Sequence, residues 1–152
     1  MAHMPLSEFA DKLCRLMPGI TRGMIRREAN ELASGHITLP QFFILNMLQC
    51  RNESRMTDIA RALGVTTAAA TGIVGRLVKS GYTQRVYDEK DRRVIKIRLQ
   101  PKGGDLANKL NKQKKQNVID IFGKVSEEER ANFLKTITRI GEILMHEQEA
   151  GK

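Results

Sequence analysis

Apolar residues fall on helical spacings over most of the chain. Leu6, Phe9, Leu13, Leu16 and Ile20 recur three and four residues apart, the seam of an amphipathic helix. Pro18-Gly19 falls inside this stripe and predicts a kink or a restart there. The pattern then continues through Met24, Ile25 and Leu32 to a stop at Ser34-Gly35. Thr38-Leu39-Pro40-Gln41 is a T-x-x-Q capping box with proline in the first turn. It opens a helix reaching about Cys50 that is apolar nearly all round, and is therefore expected in the middle of the core.

After Asn52-Glu53, residues 57–64 read as a helix of about two turns, N-capped by Thr57 and closed by Gly64. Thr66 caps the next helix, which is predicted to run to about Ser80 before Gly81 ends it. Two strand-like segments follow, 83–87 and 94–99. In the second, Ile95, Ile97 and Leu99 alternate with Lys96 and Arg98, the pattern of a half-buried strand. The tip between them, Asp88-Glu89-Lys90-Asp91-Arg92-Arg93, is wholly charged. From Pro101 the chain returns to helix through Leu106, Leu110, Ile119 and Phe122. A second capping box, Ser126-Glu127-Glu128-Glu129, opens the last one, with Leu134, Ile137, Ile140 and Leu144 on its stripe. Three segments result: an N-terminal helix (5–36), a central domain (37–100) and C-terminal helices (101–149). The stripes at the two ends need cover, from the chain's own centre or from a second copy.

The strongest chemical signal lies between Ile59 and Leu77. Ile59, Ala60 and Leu63 face inward on one helix, and Gly64 makes the turn. Val65 is expected to plug the corner, and Ala70, Ile73, Val74 and Leu77 face inward on the next helix. Ala60 is small because the second helix crosses close to it, and Gly64 supplies the positive φ of a tight turn. Thr66, Thr67, Ala68, Thr71, Gly72, Gly75, Arg76 and Lys79 are left on or beside the outer face, where a recognition helix meets a major groove. An ordinary helical hairpin uses the same devices. A β-hairpin with a basic tip directly after such a helix is what distinguishes a DNA-binding wing, because its arginines can enter the adjacent minor groove.

Charge agrees with the motif. The chain carries 26 Lys and Arg against 17 Asp and Glu, a net +9 that points to a polyanionic partner. From Arg55 to Leu99 there are ten basic residues (Arg55, Arg61, Arg76, Lys79, Arg85, Lys90, Arg92, Arg93, Lys96, Arg98) against four acids, so most of the surplus sits on the motif. With 41% hydrophobic residues and 5% aromatics, the chain is too apolar for disorder and its core is aliphatic. The Lys109, Lys112, Lys114, Lys115 run reads as a solvated helix face.

Other chemistries find little support. Cys14 and Cys50 form no disulfide framework and no metal cluster, which reads as a reducing, cytoplasmic compartment. No apolar run reaches the ~20 residues of a membrane span, and no signal-peptide pattern opens the chain. Met1-Ala2-His3 before Met4 looks like a cloning remnant. His36 and His146 are too scattered for a metal site. No nucleophile–base pair, carboxylate pair or phosphate loop stands out, so no enzyme and no cofactor are expected.

The runs Leu63-Gly64-Val65-Thr66, Arg76-Leu77-Val78-Lys79-Ser80-Gly81-Tyr82 and Asp88-Glu89-Lys90-Asp91-Arg92-Arg93, with Leu99 and Gly103, resemble the MarR (multiple antibiotic resistance regulator) family. The resemblance extends to Thr38-Leu39-Pro40-Gln41 and the long terminal helices. It implies a mainly α fold, a winged helix-turn-helix with N- and C-terminal dimerisation helices. It also implies a homodimer on double-stranded DNA, more often a repressor, with a small effector bound between dimer helices and winged domain. The DNA-contacting residues would be Thr66, Thr67, Ala68, Thr71, Arg76 and Lys79 of the recognition helix and Arg92 and Arg93 of the wing, oriented by Asp91. Two departures stand out. Leu99-Gln100 replaces the usual Leu-Thr, and the recognition helix is short of long polar side chains, so Thr67, Thr71 and Arg76 carry the expected direct readout and DNA shape the rest. Cys14 lies near where peroxide-sensing members carry a reactive cysteine. Arg15 adjoins it, but no neighbouring tyrosine of the kind those sensors use does, so it reads as a small core residue. The rival classes are an architectural protein without sequence preference and an enzyme or small-molecule binding module.

Overall fold

The computed structural model describes residues 4–34 and 36–150. In order along the chain come α1 (Leu6–Ser34), α2 (Leu39–Arg51), β1 (Glu53–Arg55), α3 (Met56–Leu63), α4 (Thr67–Lys79), β2 (Thr83–Tyr87), β3 (Ile95–Leu99), α5 (Pro101–Phe122) and α6 (Glu127–Ala150). The fold is mainly α with a small antiparallel sheet. The chain divides into two units, one reaching to Gln113 and one from Lys114 onward.

In the first unit α2 lies at the centre of the core. Ile44, Leu45 and Leu48 are fully buried, together with Ile59 of α3, Val74 and Leu77 of α4, Ile97 of β3 and Leu110 of α5. Phe43 departs from the expected all-round burial and is exposed. Gln41 Oε1 accepts from Thr38 N at 2.8 Å, the reciprocal half of the capping box. The carbonyl of Leu48 accepts from Asn52 N, and Asn52, with φ +63°, turns the chain into β1.

Strand β1 has no counterpart among the sequence expectations. Its three residues, Glu-Ser-Arg, show no apolar alternation, yet they pair with β3 as Glu53↔Arg98, Ser54↔Ile97 and Arg55↔Lys96. The sheet order is β1-β3-β2, so the expected hairpin is flanked by a third strand. α3 begins directly after β1, at Met56, and its N-cap is Arg55, without a side-chain bond, two residues ahead of the expected Thr57.

Gly64 closes α3 at φ +66°, and its N–H donates to Arg61 O while Val65 N donates to Ala60 O. Val65 is not a buried plug but 39% exposed, while Ala60, Ala70 and Val74 are buried. Thr66 Oγ1 accepts from Ala69 N at 3.2 Å and caps α4. Gly81, at φ +75°, ends that helix as Tyr82 N donates to Leu77 O. Lys102 Nζ then donates to Ser80 O at 2.9 Å, a cation on the last carbonyls of α4, and lies over the Tyr82 ring. Directly below, Gly103 packs so closely on the Tyr82 carbonyl that a Cβ would stand 2.2 Å from its oxygen. The start of α5 is therefore docked on the α4–β2 turn.

The restart that Pro18-Gly19 allowed for does not occur. α1 runs unbroken for 29 residues with Pro18 inside it. Proline removes the bond to the carbonyl of Cys14, and both residues are exposed, so water can satisfy that oxygen. Exposure also overturns the reading of Cys14 as a core residue, and Cys50 is exposed too. Gly35 and the Met1-Ala2-His3 segment lie outside the described residues. Leu6, Phe9, Leu13, Leu16 and Ile20 of α1 are all exposed.

In the second unit Ser126 and Glu129 form the expected capping box. Glu129 N donates to Ser126 Oγ at 3.3 Å, and Glu129 Oε2 accepts from Ser126 N at 3.0 Å. The rings of Phe122 and Phe133 stand 5.2 Å apart, and Arg130 donates to the carbonyls of Phe122 and Val125. Leu134, Ile137, Ile140 and Leu144 remain exposed on α6.

Candidate nucleic-acid interface

The recognition-helix candidates stand on one open face of α4. Ala70, Val74 and Leu77 fix the opposite face in the core, which leaves Thr67, Ala68, Thr71, Gly72, Arg76 and Lys79 exposed. Two of the threonine hydroxyls are committed to the helix itself. Thr66 Oγ1 serves as the cap, and Thr71 Oγ1 donates to Thr67 O at 2.8 Å. Thr71 therefore offers a DNA partner its methyl group and acceptor lone pairs rather than a free donor. Gly72 has open space around it, with nothing within 4 Å of a would-be Cβ. The side chains of Arg76 and Lys79 make no hydrogen bond or ion pair among the described residues and are exposed on the second half of the helix.

The wing is built from β2, β3 and a tight tip. Asp88 N donates to Val94 O and Val94 N to Asp91 O, both at 2.9 Å, closing the hairpin. Asp88 Oδ1 accepts from Lys90 N at 2.9 Å and from Asp91 N at 3.2 Å, and Asp91 Oδ1 accepts from Arg93 N at 3.0 Å. Arg92 and Arg93 are exposed at this tip, with no ion-pair partner among the described residues.

The strand cations behave differently from those at the tip. Lys96 Nζ lies 2.6 Å from Asp88 Oδ2 and 2.9 Å from Glu53 Oε1, while Arg98 Nη2 lies 2.8 Å from Glu53 Oε2. The Lys96 ammonium, helped by the Lys90 and Asp91 amides, pulls Asp88 from the ordinary 3.8 down to about 2. Lys96 and then Arg98 lower Glu53, and Asp88 and then Glu53 raise Lys96. Asp88, Glu53 and Lys96 are therefore charged at neutral pH. The sequence-level excess of cation along the strands is thus partly cancelled, by a glutamate just ahead of the basic segment and an aspartate at its tip.

Arg85, outside the expected contact set, reaches the recognition helix. Its Nη2 lies 4.0 Å from where a Cβ on Gly75 would stand, so Gly75 leaves room for a guanidinium between helix and wing. Glu53, Asp88 and Arg85 were missed because their roles depend on strand register, which Glu53↔Arg98 and Arg85↔Ile97 set only in the folded sheet. No group of three His, Cys, Asp or Glu among the described residues could hold a metal ion, and no helix there is long and apolar enough to cross a membrane.

Two adjacent helices joined by a glycine turn, followed by a basic hairpin, define a winged helix-turn-helix protein. Residues 37–95 match the MarR family model. Over 142 residues, 92% of this chain and 95% of the relative, the sequence is 28% identical to the uncharacterized HTH-type transcriptional regulator YsmB of Bacillus subtilis. It is 24% identical to the multiple antibiotic resistance protein MarR of Salmonella typhimurium over 70% of this chain and 74% of that one. Among solved structures, a MarR family protein from Bacillus stearothermophilus superposes with a TM-score of 0.83 at 21% identity, covering 93% of this chain and 99% of the other. The chain thus carries a MarR family domain over residues 37–95, and its relatives over most of its length are named HTH-type transcriptional regulators.

Proposed function

We propose that the chain works as a homodimer on a pseudo-palindromic operator, each subunit setting α4 into a major groove and the Arg92/Arg93 tip into the flanking minor groove. One observation carries this reading. Within a single unit, Arg76, Lys79, Arg92 and Arg93 stay unpaired beside an open helix face, while the neighbouring Lys96 and Arg98 are neutralised by carboxylates. Unpaired cations on the recognition helix and the wing tip are what two adjacent grooves of one duplex would engage. Thr67, Ala68 and Gly72 let the backbone come close to base edges, Ala68 and the Thr71 methyl meet thymine methyls, and Thr66 holds the helix start.

The apolar stripes support the dimer. Leu6, Phe9, Leu13, Leu16 and Ile20 on α1, and Leu134, Ile137, Ile140 and Leu144 on α6, are exposed side by side on their helices. Stripes of that length are not left in water by a stable monomer, and a second copy covers them. A repressor sense and a small effector that alters half-site spacing rest on the family resemblance. The three-segment division at 36/37 and 100/101 is part of the same reading.

Selection of bound duplexes from a random pool tests the proposal. The selected site should outcompete random duplex by about a thousandfold or more. Binding should weaken steeply with salt, with a log–log slope reduced by roughly two in the Arg92→Ala/Arg93→Ala variant. Equal affinity for selected and random duplexes would overturn sequence-specific regulation in favour of an architectural role.

A further inference from the structure

We propose that Asp88 is the positioning residue of the wing: it holds the turn that presents Arg92 and Arg93, and ties that turn through Lys96 and Glu53 to β1. The inference rests on the wing's binding DNA, and it concerns how the wing is kept in shape to do so. Asp88 directly follows β2 and makes bonds of two kinds from one carboxylate. Oδ1 receives the backbone N–H groups of Lys90 and Asp91, which fixes the first half of the tip. Oδ2 receives the Lys96 ammonium from β3 at 2.6 Å. Lys96 continues to Glu53 of β1, whose other oxygen takes Arg98 Nε at 3.1 Å and Nη2 at 2.8 Å.

The chain of contacts therefore runs from the tip across all three strands. The side chains of Asp88, Lys96 and Glu53 are only 13%, 24% and 28% exposed, so solvent competes with these bonds less than at an open surface. The Asp91 carboxylate, by contrast, makes a single local bond, accepting from Arg93 N. A hairpin tip of six charged residues brings no apolar side chain of its own, and arginines on a loose loop must be ordered at the moment of binding. Asp88 supplies that order beforehand.

The sign of the effect makes the test sharp. Removing a negative charge beside a polyanion should tighten binding if charge alone mattered. If Asp88 positions the tip, Asp88→Ala weakens binding instead, by about tenfold, the worth of ordering two rotamer-rich side chains. Asp88→Asn keeps an acceptor for the two amides and loses the ion pair, so it should fall between parent and Asp88→Ala. In the Arg92→Ala/Arg93→Ala background, Asp88→Ala should cost nothing further.

The measurement is fluorescence anisotropy with the selected duplex, for all variants, with far-UV circular dichroism to confirm folding. Binding of Asp88→Ala as tight as the parent's, or an equal loss in the background without the arginines, would overturn the proposal. Should Asp88→Ala fail to fold, Asp88→Asn against the same two backgrounds decides in the same way. If the double arginine variant itself binds like the parent, it is the wing reading that fails; if it binds weakly while the Asp88 variants do not, only the positioning role fails.

Discussion

Gly72→Ala separates folding from DNA reading at one position. Gly72 sits in the middle of α4, four residues from Ala68 and four from Arg76, on the exposed stripe. Its φ is not in the left-handed region, and a Cβ there would meet no atom within 4 Å. The folded chain thus has no use for a glycine here, and glycine costs a helix interior about 1 kcal/mol relative to alanine. The substitution should raise stability by about that amount, or about 2–4 °C in melting temperature for a chain of this size. If the helix backbone lies against base edges at Gly72, the added methyl must be accommodated at the groove. Overfilling a close contact costs about 1–3 kcal/mol, so affinity for the selected site should drop about tenfold or more. Random duplex, held by phosphate contacts, should be bound nearly as before. Melting by circular dichroism and anisotropy titration of both duplexes on one preparation give the three numbers. A raised melting temperature with undiminished affinity for the selected site would refute close backbone approach at this position.

Three further outcomes follow from the structure. Gly103→Ala, whose Cβ would stand 2.2 Å from Tyr82 O and 3.0 Å from Leu99 Cδ1, should destabilise by about 3 kcal/mol. Gly104→Ala next to it, with only Leu99 Cδ2 at 3.7 Å, should be neutral or stabilising by up to about 1 kcal/mol; urea unfolding curves of equal midpoint would contradict this pairing. Thr83 is 2% exposed and its Oγ1 has no hydrogen-bond partner among the described residues, so Thr83→Val should stabilise the sheet by about 1 kcal/mol, and a lowered midpoint would reveal a bond to that hydroxyl. Asp88, lowered to about 2, and Glu53 and Glu129, lowered from 4.5, bind protons more readily when unfolded. Their stabilisation is complete above about pH 4.5 and is lost as the pH falls towards 2. Melts across this range should show Asp88→Asn approaching the parent at the acid end, and a constant difference would contradict the ion-pair role of Asp88.

Where local chemistry determines structure, the sequence was readable. Thr66, Gly64, Gly81 and the Ser126–Glu129 box each act through bonds within a few residues, and each does so as its type dictates. The inward set Ile59, Ala60, Ala70, Val74 and Leu77 follows from helical period alone. What escaped notice depends on partners distant in sequence. Strand β1 is three residues without apolar alternation and exists because β3 offers an edge. Gly103 reads as the start of a helix until Tyr82, 21 positions earlier, is laid against it. The continuity of α1 through Pro18 and the exposure of Val65 have a different cause: a helix or corner left open to solvent tolerates what a packed one does not. At the interface, residue type marked Arg76, Lys79, Arg92 and Arg93, whereas the neutralisation of Lys96 and Arg98 required the register of Glu53 against Arg98.

Sedimentation equilibrium of the protein on a selected duplex, at a salt concentration where random duplex is released, tests the dimeric winged reader most directly. The mass should correspond to two chains per duplex, and the Arg92→Ala/Arg93→Ala variant should remain two chains when free while losing the DNA. One chain per duplex, or a variant that holds the duplex undiminished, would contradict it.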